Sequence, residues 1–147
     1  MPAETGENAS LVQDVMQTVF ATVRSDELMD LVHDVMCLGR VRHLPVVDEG
    51  RLVGVVSQRD LLAAGLSQTL EFDRAQRRSF LRSVAVSEAM TEKPLTARPS
   101  TALKEAAALM LEHSIGCLPI VDDDFQAIGL VTETDLLRAA YAPDHRT

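Results

Sequence analysis

Apolar residues recur along this chain with two different periods, and the whole pattern occurs twice. Leu28, Leu31, Val32, Val35 and Met36 fall at helical spacing, which predicts one buried helix face. Ser25 stands before them as a candidate cap, Asp26 and Glu27 place acidic charge at the positive end of the dipole, and Gly39 supplies a stop. Two apolar runs follow, Leu44–Val47 and Leu52–Val56, separated by Asp48-Glu49-Gly50-Arg51. That arrangement predicts a hairpin. A second helix is expected over Gln58–Ala64. Pro45 lies inside the first strand and cannot donate to a ladder, so that point is expected at a sheet edge or an irregular strand start.

The second copy repeats each feature. Val12-Gln-Asp-Val-Met16 returns as Val86-Ser-Glu-Ala-Met90, an offset of 74, which also carries Thr22 to Thr96 and Met36 to Met110. His43-Leu-Pro-Val-Val-Asp48 returns as Cys117-Leu-Pro-Ile-Val-Asp122 at the same offset. Beyond the turn the offset is 75, and Gly54-Val-Val-Ser-Gln-Arg-Asp-Leu-Leu62 becomes Gly129-Leu-Val-Thr-Glu-Thr-Asp-Leu-Leu137. The extra residue falls in the hairpin turn, where an insertion costs least. After Ser100, the face Leu103, Ala106, Ala107, Met110 and Leu111 gives the matching helix, then come Leu118–Val121, Ala127–Val131 and the helix Glu133–Tyr141. With a short extended piece at Thr22 and at Thr96, each copy reads β-α-β-β-α. The expected organisation is a tail at 1–8, a repeat at 9–66, a helical polar linker at 67–84, a second repeat at 85–142 and a tail at 143–147.

Composition narrows the function classes. Aromatic residues are 3% of the 147 and Trp is absent, so the core is aliphatic and few stacking platforms exist for nucleic-acid bases. A net charge of −8 repels a polyanion. The basic linker residues Arg74, Arg77, Arg78 and Arg82 sit among Glu71 and Asp73 and read as a solvated face, with an acidic protein partner as the minority reading. No apolar run approaches the ~20 residues of a membrane helix, and 1–8 is unlike a signal peptide, so a soluble cytoplasmic protein without membrane insertion is expected. Two distant cysteines and four histidines give no metal spacing. Cys37 matches Leu111 on an apolar face and reads as a core residue. Asp122-Asp123-Asp124 reads as turn chemistry rather than a metal site.

Ser57-x-x-Asp60 and Thr132-x-x-Asp135 have the form of capping boxes, and that structural reading stands beside a ligand-binding one. Leu-Pro-Val-Val-Asp, a turn, and Leu-Val-Gly-Val-Val-Ser-Gln-Arg-Asp-Leu-Leu resemble the second half of a CBS domain. Met90-Thr-Glu-Lys-Pro-Leu-Thr96 through Gly129-Leu-Val-Thr-Glu-Thr-Asp135 resembles the same family, and the two copies cover Leu11–Ala140. The resemblance implies an α/β (α+β) fold of two tandem CBS units packed about a pseudo-twofold axis, with two clefts and further association into a homodimer. It also implies a non-catalytic regulatory module that binds an adenine nucleotide (AMP, ADP or ATP) and signals to a protein partner, with no obligatory cofactor.

In the family the motif Asp typically accepts from ribose hydroxyls and the Ser/Thr typically donates to phosphate. Carried over, these are Ser57 and Asp60 in one cleft and Thr132 and Asp135 in the other. Thr22 and Thr96, with Arg42-His43 and Gly116-Cys117 before Pro45 and Pro119, would lie beside the base. Arg59, Arg40, Arg42 and His43 would give phosphate cationic company in the first cleft. The second, with Thr134 and Gly116 at the matching positions, would suit adenosine or AMP. The alternatives are a ligand-free dimerisation scaffold, or a sensor of Mg²⁺ or S-adenosylmethionine.

Overall fold

The computed structural model describes residues 10–66 and 73–141; the expected tails and residues 67–72 of the linker lie outside the described residues. The elements in chain order are α1 (Val12–Val15), α2 (Met29–Gly39), β1 (His43–Asp48), β2 (Arg51–Ser57), α3 (Gln58–Leu66) and α4 (Arg74–Leu81). Then follow α5 (Val86–Ala89), β3 (Thr91–Glu92), α6 (Leu103–His113), β4 (Cys117–Val121), β5 (Ala127–Thr132) and α7 (Glu133–Tyr141). They form two compact units. A central unit runs from Ala21 to Pro94, and a terminal unit joins the residues up to Phe20 with those from Leu95 onward.

The packing units and the sequence repeats therefore have different boundaries. The short arm that opens each repeat packs with the body of the other copy. In the terminal unit, Val12 is fully buried with Ala97, Ala106, Met110, Leu118, Ile120 and Val131. In the central unit, Val86 and Leu81 join Val23, Met29, Val32, Met36, Leu44, Val46, Val56 and Leu61. Loop carbonyls hold the leading amides of each four-residue arm helix. Val12 and Gln13 donate to Thr101 and Pro99 (2.8 and 3.0 Å), while Val86 and Ser87 donate to Glu27 and Ser25 (2.7 and 3.0 Å). Such short helices cannot stand on intrahelical bonds alone.

Each hairpin has the expected place and the same bulge. Val46 faces Gly54 and Val47 faces Leu52, while Ile120 faces Gly129 and Val121 faces Ala127. Glu49 and Gly50 both take positive φ (53° and 86°), the requirement of a type I′ turn. The arms extend the pairing. β3 pairs with β2 through Gly54↔Glu92 and Val55↔Thr91, and Gln17 bridges Leu130 in the terminal unit.

Those pairings explain the glycines. A Cβ on Gly54 would stand 2.6 Å from Met90 Sδ and 2.8 Å from the Thr91 carbonyl oxygen. One on Gly129 would stand 2.5 Å from Met16 Sδ.

Pro45 lies on β1, the strand that ends the three-stranded order β1-β2-β3, as expected of a sheet edge; beyond it Val23 makes an isolated bridge to Val46. The Pro45 carbonyl accepts from Val23 (3.1 Å) and Val47 donates back to Val23 (2.8 Å). Proline, lacking an N–H, fits where this parallel bridge does not continue. Pro119 repeats this with Ala97.

Ser25 does not cap α2, whose N-cap is Leu28 without a side-chain bond. Its amide and hydroxyl instead donate to Asp48 (3.0 and 2.6 Å). Ser100 likewise yields the N-cap of α6 to Ala102. Gly39 is still helical, and the left-handed closing residue is Arg40, matched by Ser114. Cys37 is exposed rather than core, as is Leu111.

Among the described residues no helix is long and apolar enough to cross a membrane.

Candidate functional site

The two Ser/Thr-x-x-Asp motifs lie at strand-to-helix junctions, one in each unit. In the central unit β2 ends at Ser57 and α3 begins at Gln58. The strand register puts His43 opposite Ser57, and the Arg42 carbonyl accepts the Gln58 amide at 2.8 Å. The pair before Leu-Pro is thus held against the first turn of the helix. In the terminal unit Cys117 faces Thr132 and the Gly116 carbonyl accepts the Glu133 amide at 3.2 Å.

The capping-box geometry is present in both motifs. The Ser57 amide and hydroxyl donate to Asp60 Oδ2 at 2.8 and 3.0 Å, and the Asp60 amide donates to Ser57 Oγ at 3.2 Å. The Thr132 amide and hydroxyl donate to Asp135 Oδ2 at the same distances, and the Asp135 amide donates to Thr132 Oγ1 at 3.4 Å. A hydroxyl carries one proton. Each motif hydroxyl spends it on its own carboxylate, and a phosphate here would have to redirect it.

The two carboxylates differ in what remains. Asp60 is half-buried, its contacts use Oδ2, and Oδ1 accepts nothing among the described residues. Asp135 is buried, 6% exposed. Its Oδ2 also accepts from Gln17 Nε2 at 2.9 Å, and its Oδ1 lies 3.6 Å from Arg138 Nη1. Sequence reasoning missed both neighbours. Arg138 was legible as the i+3 partner of Asp135 on one helix, whereas Gln17 reaches Asp135 only through the exchanged arm.

The remaining sequence-predicted residues divide by burial. Arg42, Arg59 and Thr22 are exposed, and His43, Thr96 and Gly116 are half-buried. Pro45 and Pro119 are buried in their strands. Thr22 and Thr96, next to the bridging Val23 and Ala97, lie across β1 and β4 from the motifs. Cys117 is buried, and desolvation pushes its thiol up to about 12. It is a neutral core group rather than a reactive one.

Asp122 does turn chemistry, accepting the Asp124 and Gln126 amides at 2.9 Å each, and Asp123 pairs with Arg98. In the first copy Asp48 is instead engaged by Ser25, whose counterpart Pro99 has neither hydroxyl nor N–H.

A cavity of about 350 Å³ opens in the central unit beside Asp60. Its walls are Ala63 and Ala64 of α3, Phe80 of α4, Val84, and Glu88 and Ala89 of α5. Ala63 and Ala64 follow Asp60 at helical i+3 and i+4 spacing, so one helix face carries both the carboxylate and the apolar wall.

Comparison with known proteins fits this architecture. A model of the CBS domain matches residues 12–67 and 86–142. A CBS domain-containing protein of Dictyostelium discoideum is 34% identical over 128 residues, covering 86% of this chain and 88% of its own. The structure of CBSX2 in complex with AMP is 33% identical with a TM-score of 0.77, covering 91% of this chain and 98% of that one; CBSX2 is a protein of Arabidopsis thaliana. The CBS domain pair of protein MJ0100, in complex with 5′-methylthioadenosine and S-adenosyl-L-methionine, is 27% identical with a TM-score of 0.76, covering 91% and 98%. Other relatives are longer, and the chain spans 47% and 29% of two proteins of Methanocaldococcus jannaschii. With the motif built twice and the family model matched by both copies, the chain belongs to the CBS domain family, as a tandem pair.

Proposed function

We propose that this chain is a non-catalytic regulatory module that binds an adenosine ligand at Asp60 and passes the occupancy on to a protein partner. The observation that carries the reading is the open half of the Asp60 carboxylate. A vicinal diol needs an acceptor with free lone pairs, and Asp60 offers Oδ1 while Oδ2 closes the helix cap. Arg59 and Arg42 stand exposed at the same strand-to-helix junction, suited to a phosphate tail. The cavity beside Asp60, walled by Ala63, Ala64, Phe80, Val84 and Ala89, supplies apolar surface for the flat base. The ligands in the MJ0100 and CBSX2 structures share an adenosine moiety and support that class.

A ligand shifts a regulatory equilibrium only by binding one state more tightly than the other. The test is calorimetric titration with AMP, ADP, ATP, S-adenosylmethionine and Mg²⁺, repeated on Asp60→Asn. Binding of one adenosyl compound, weakened at least tenfold by Asp60→Asn, is the expected result. Undiminished binding by that variant would overturn the assignment of Asp60.

A ligand-free self-association scaffold is the second reading. It is favoured by the matched exposure of Leu62 and Leu137, 54% and 60%, at equivalent positions on α3 and α7. No heat from any compound, together with a dimer in sedimentation, would transfer the assignment to the scaffold.

A further inference from the structure

One oxygen of the Asp135 carboxylate is already taken up by the chain itself, and a guanidinium stands beside the other. Asp135 Oδ2 accepts three hydrogen bonds, from the Thr132 amide at 2.8 Å, the Thr132 hydroxyl at 3.0 Å and Gln17 Nε2 at 2.9 Å. Arg138 Nη1 stands 3.6 Å from the other oxygen. The two Thr132 contacts have counterparts in the central unit, where Ser57 makes them to Asp60. The other two do not. At the matching offsets, Gln17 corresponds to Thr91 and Arg138 to Ala63. Thr91 lacks the reach of a glutamine amide, and Ala63 carries no charge. Asp60 is left half-buried with Oδ1 open, while Asp135 is 6% exposed.

Gln17 is itself exposed, so its amide is a cover on the carboxylate rather than part of the core. Its backbone is fixed separately, donating to the Leu130 carbonyl at 2.8 Å and accepting the Leu130 amide at 3.0 Å. The arm would keep its path if only the side chain changed.

We propose that Gln17 is an intramolecular plug: its side-chain amide on Oδ2, with the Arg138 guanidinium beside Oδ1, covers the Asp135 carboxylate against a ligand hydroxyl, so the chain carries one open and one self-closed adenosyl site. This rests on the reading of the motif carboxylates as ribose acceptors. A ligand at the second motif must displace the Gln17 amide from a buried carboxylate and move Arg138 aside, and among the described residues none holds Asp60 in this way. One residue outside both motifs thereby sets how many ligands the pair takes.

The test is binding stoichiometry on the full chain by calorimetry, with AMP and S-adenosylmethionine as probes. The natural chain takes one ligand, lost in Asp60→Asn. Gln17→Thr, which installs the residue of the other copy, takes two, and adding Asp135→Asn returns it to one. Gln17→Ala is the second variant, and a cooperative melt of each variant verifies that it is folded. Two ligands on the natural chain, or one on both folded Gln17 variants while Asp60 still binds, overturn the plug and leave the Asp60 reading standing. No binding by the natural chain or the Gln17 variants overturns the Asp60 reading and the plug with it.

Discussion

Cys117 and Cys37 show how little residue type alone says about burial. Cys117 is 6% exposed in an all-buried strand and its thiol is pushed up to about 12 by desolvation. A thiol in the unfolded chain ionises near ~8.5. Between those values the unfolded chain has released a proton that the folded chain keeps. The raised folded value thus contributes stability that is complete below about 8.5 and is lost as pH rises toward about 12, by up to ~1.4 kcal/mol per pH unit. Urea unfolding at pH 8 and pH 10 checks this: the natural chain should lose more stability than Cys117→Val, and equal losses would mean that the folded thiol ionises too. Cys37 lies on α2 with its sulfur 3.7 Å from His33 Nε2 and is exposed. Its match to Leu111 predicted a core position because an apolar partner was taken as evidence of burial, yet Leu111 is 80% exposed. The motif residues were legible because their spacing is local. The difference between Asp60 and Asp135 was not, because Gln17 is 118 residues from Asp135 along the chain.

Elements divide along the same line between local and distant causes. Hairpins, the longer helices and the turn insertion follow from periodicity and turn residues, and these were legible. The arm helices are four residues long and their pairings are one or two residues wide, too short to carry a period. Gly54 and Gly129 record the arms indirectly, since each leaves room for a methionine and a backbone carbonyl. The two are not equivalent. The carbonyl lies 2.8 Å from a Cβ built on Gly54 but 3.3 Å from one built on Gly129, where the closest atoms belong to the flexible Met16 side chain. Gly54→Ala should therefore cost about 1–3 kcal/mol, the range of overpacking, and loosen β3, whereas Gly129→Ala should cost less. Chemical denaturation of the two variants, with proteolysis near Thr91–Glu92, measures the ranking. The reverse order would mean that Met90 and β3 yield more readily than Met16.

At the scale of the whole molecule, duplication in sequence and compactness in space have different boundaries. The repeat is what the gene-level pattern of Leu-Pro, Gly and Ser/Thr-x-x-Asp reveals, and it would divide the chain near residue 67. The contacts divide it at Phe20/Ala21 and Pro94/Leu95 instead. Every member of the central core, from Val23 through Leu61 to Leu81 and Val86, lies within Ala21–Pro94. A fragment cut at the repeat, residues 10–66, lacks Leu81, Val86 and β3, and retains an arm whose buried partners lie beyond residue 94. A domain of about 60–75 residues has little stability to spare, so losing two core residues and the third strand should leave it unfolded. The 21–94 fragment is expected to show helical circular dichroism and a cooperative melt, and the 10–66 fragment neither. Cooperative folding of 10–66 alone would mean that the arm exchange is dispensable. Failure of 21–94 to fold would make the terminal residues necessary to the central core, despite the self-contained contacts of that core.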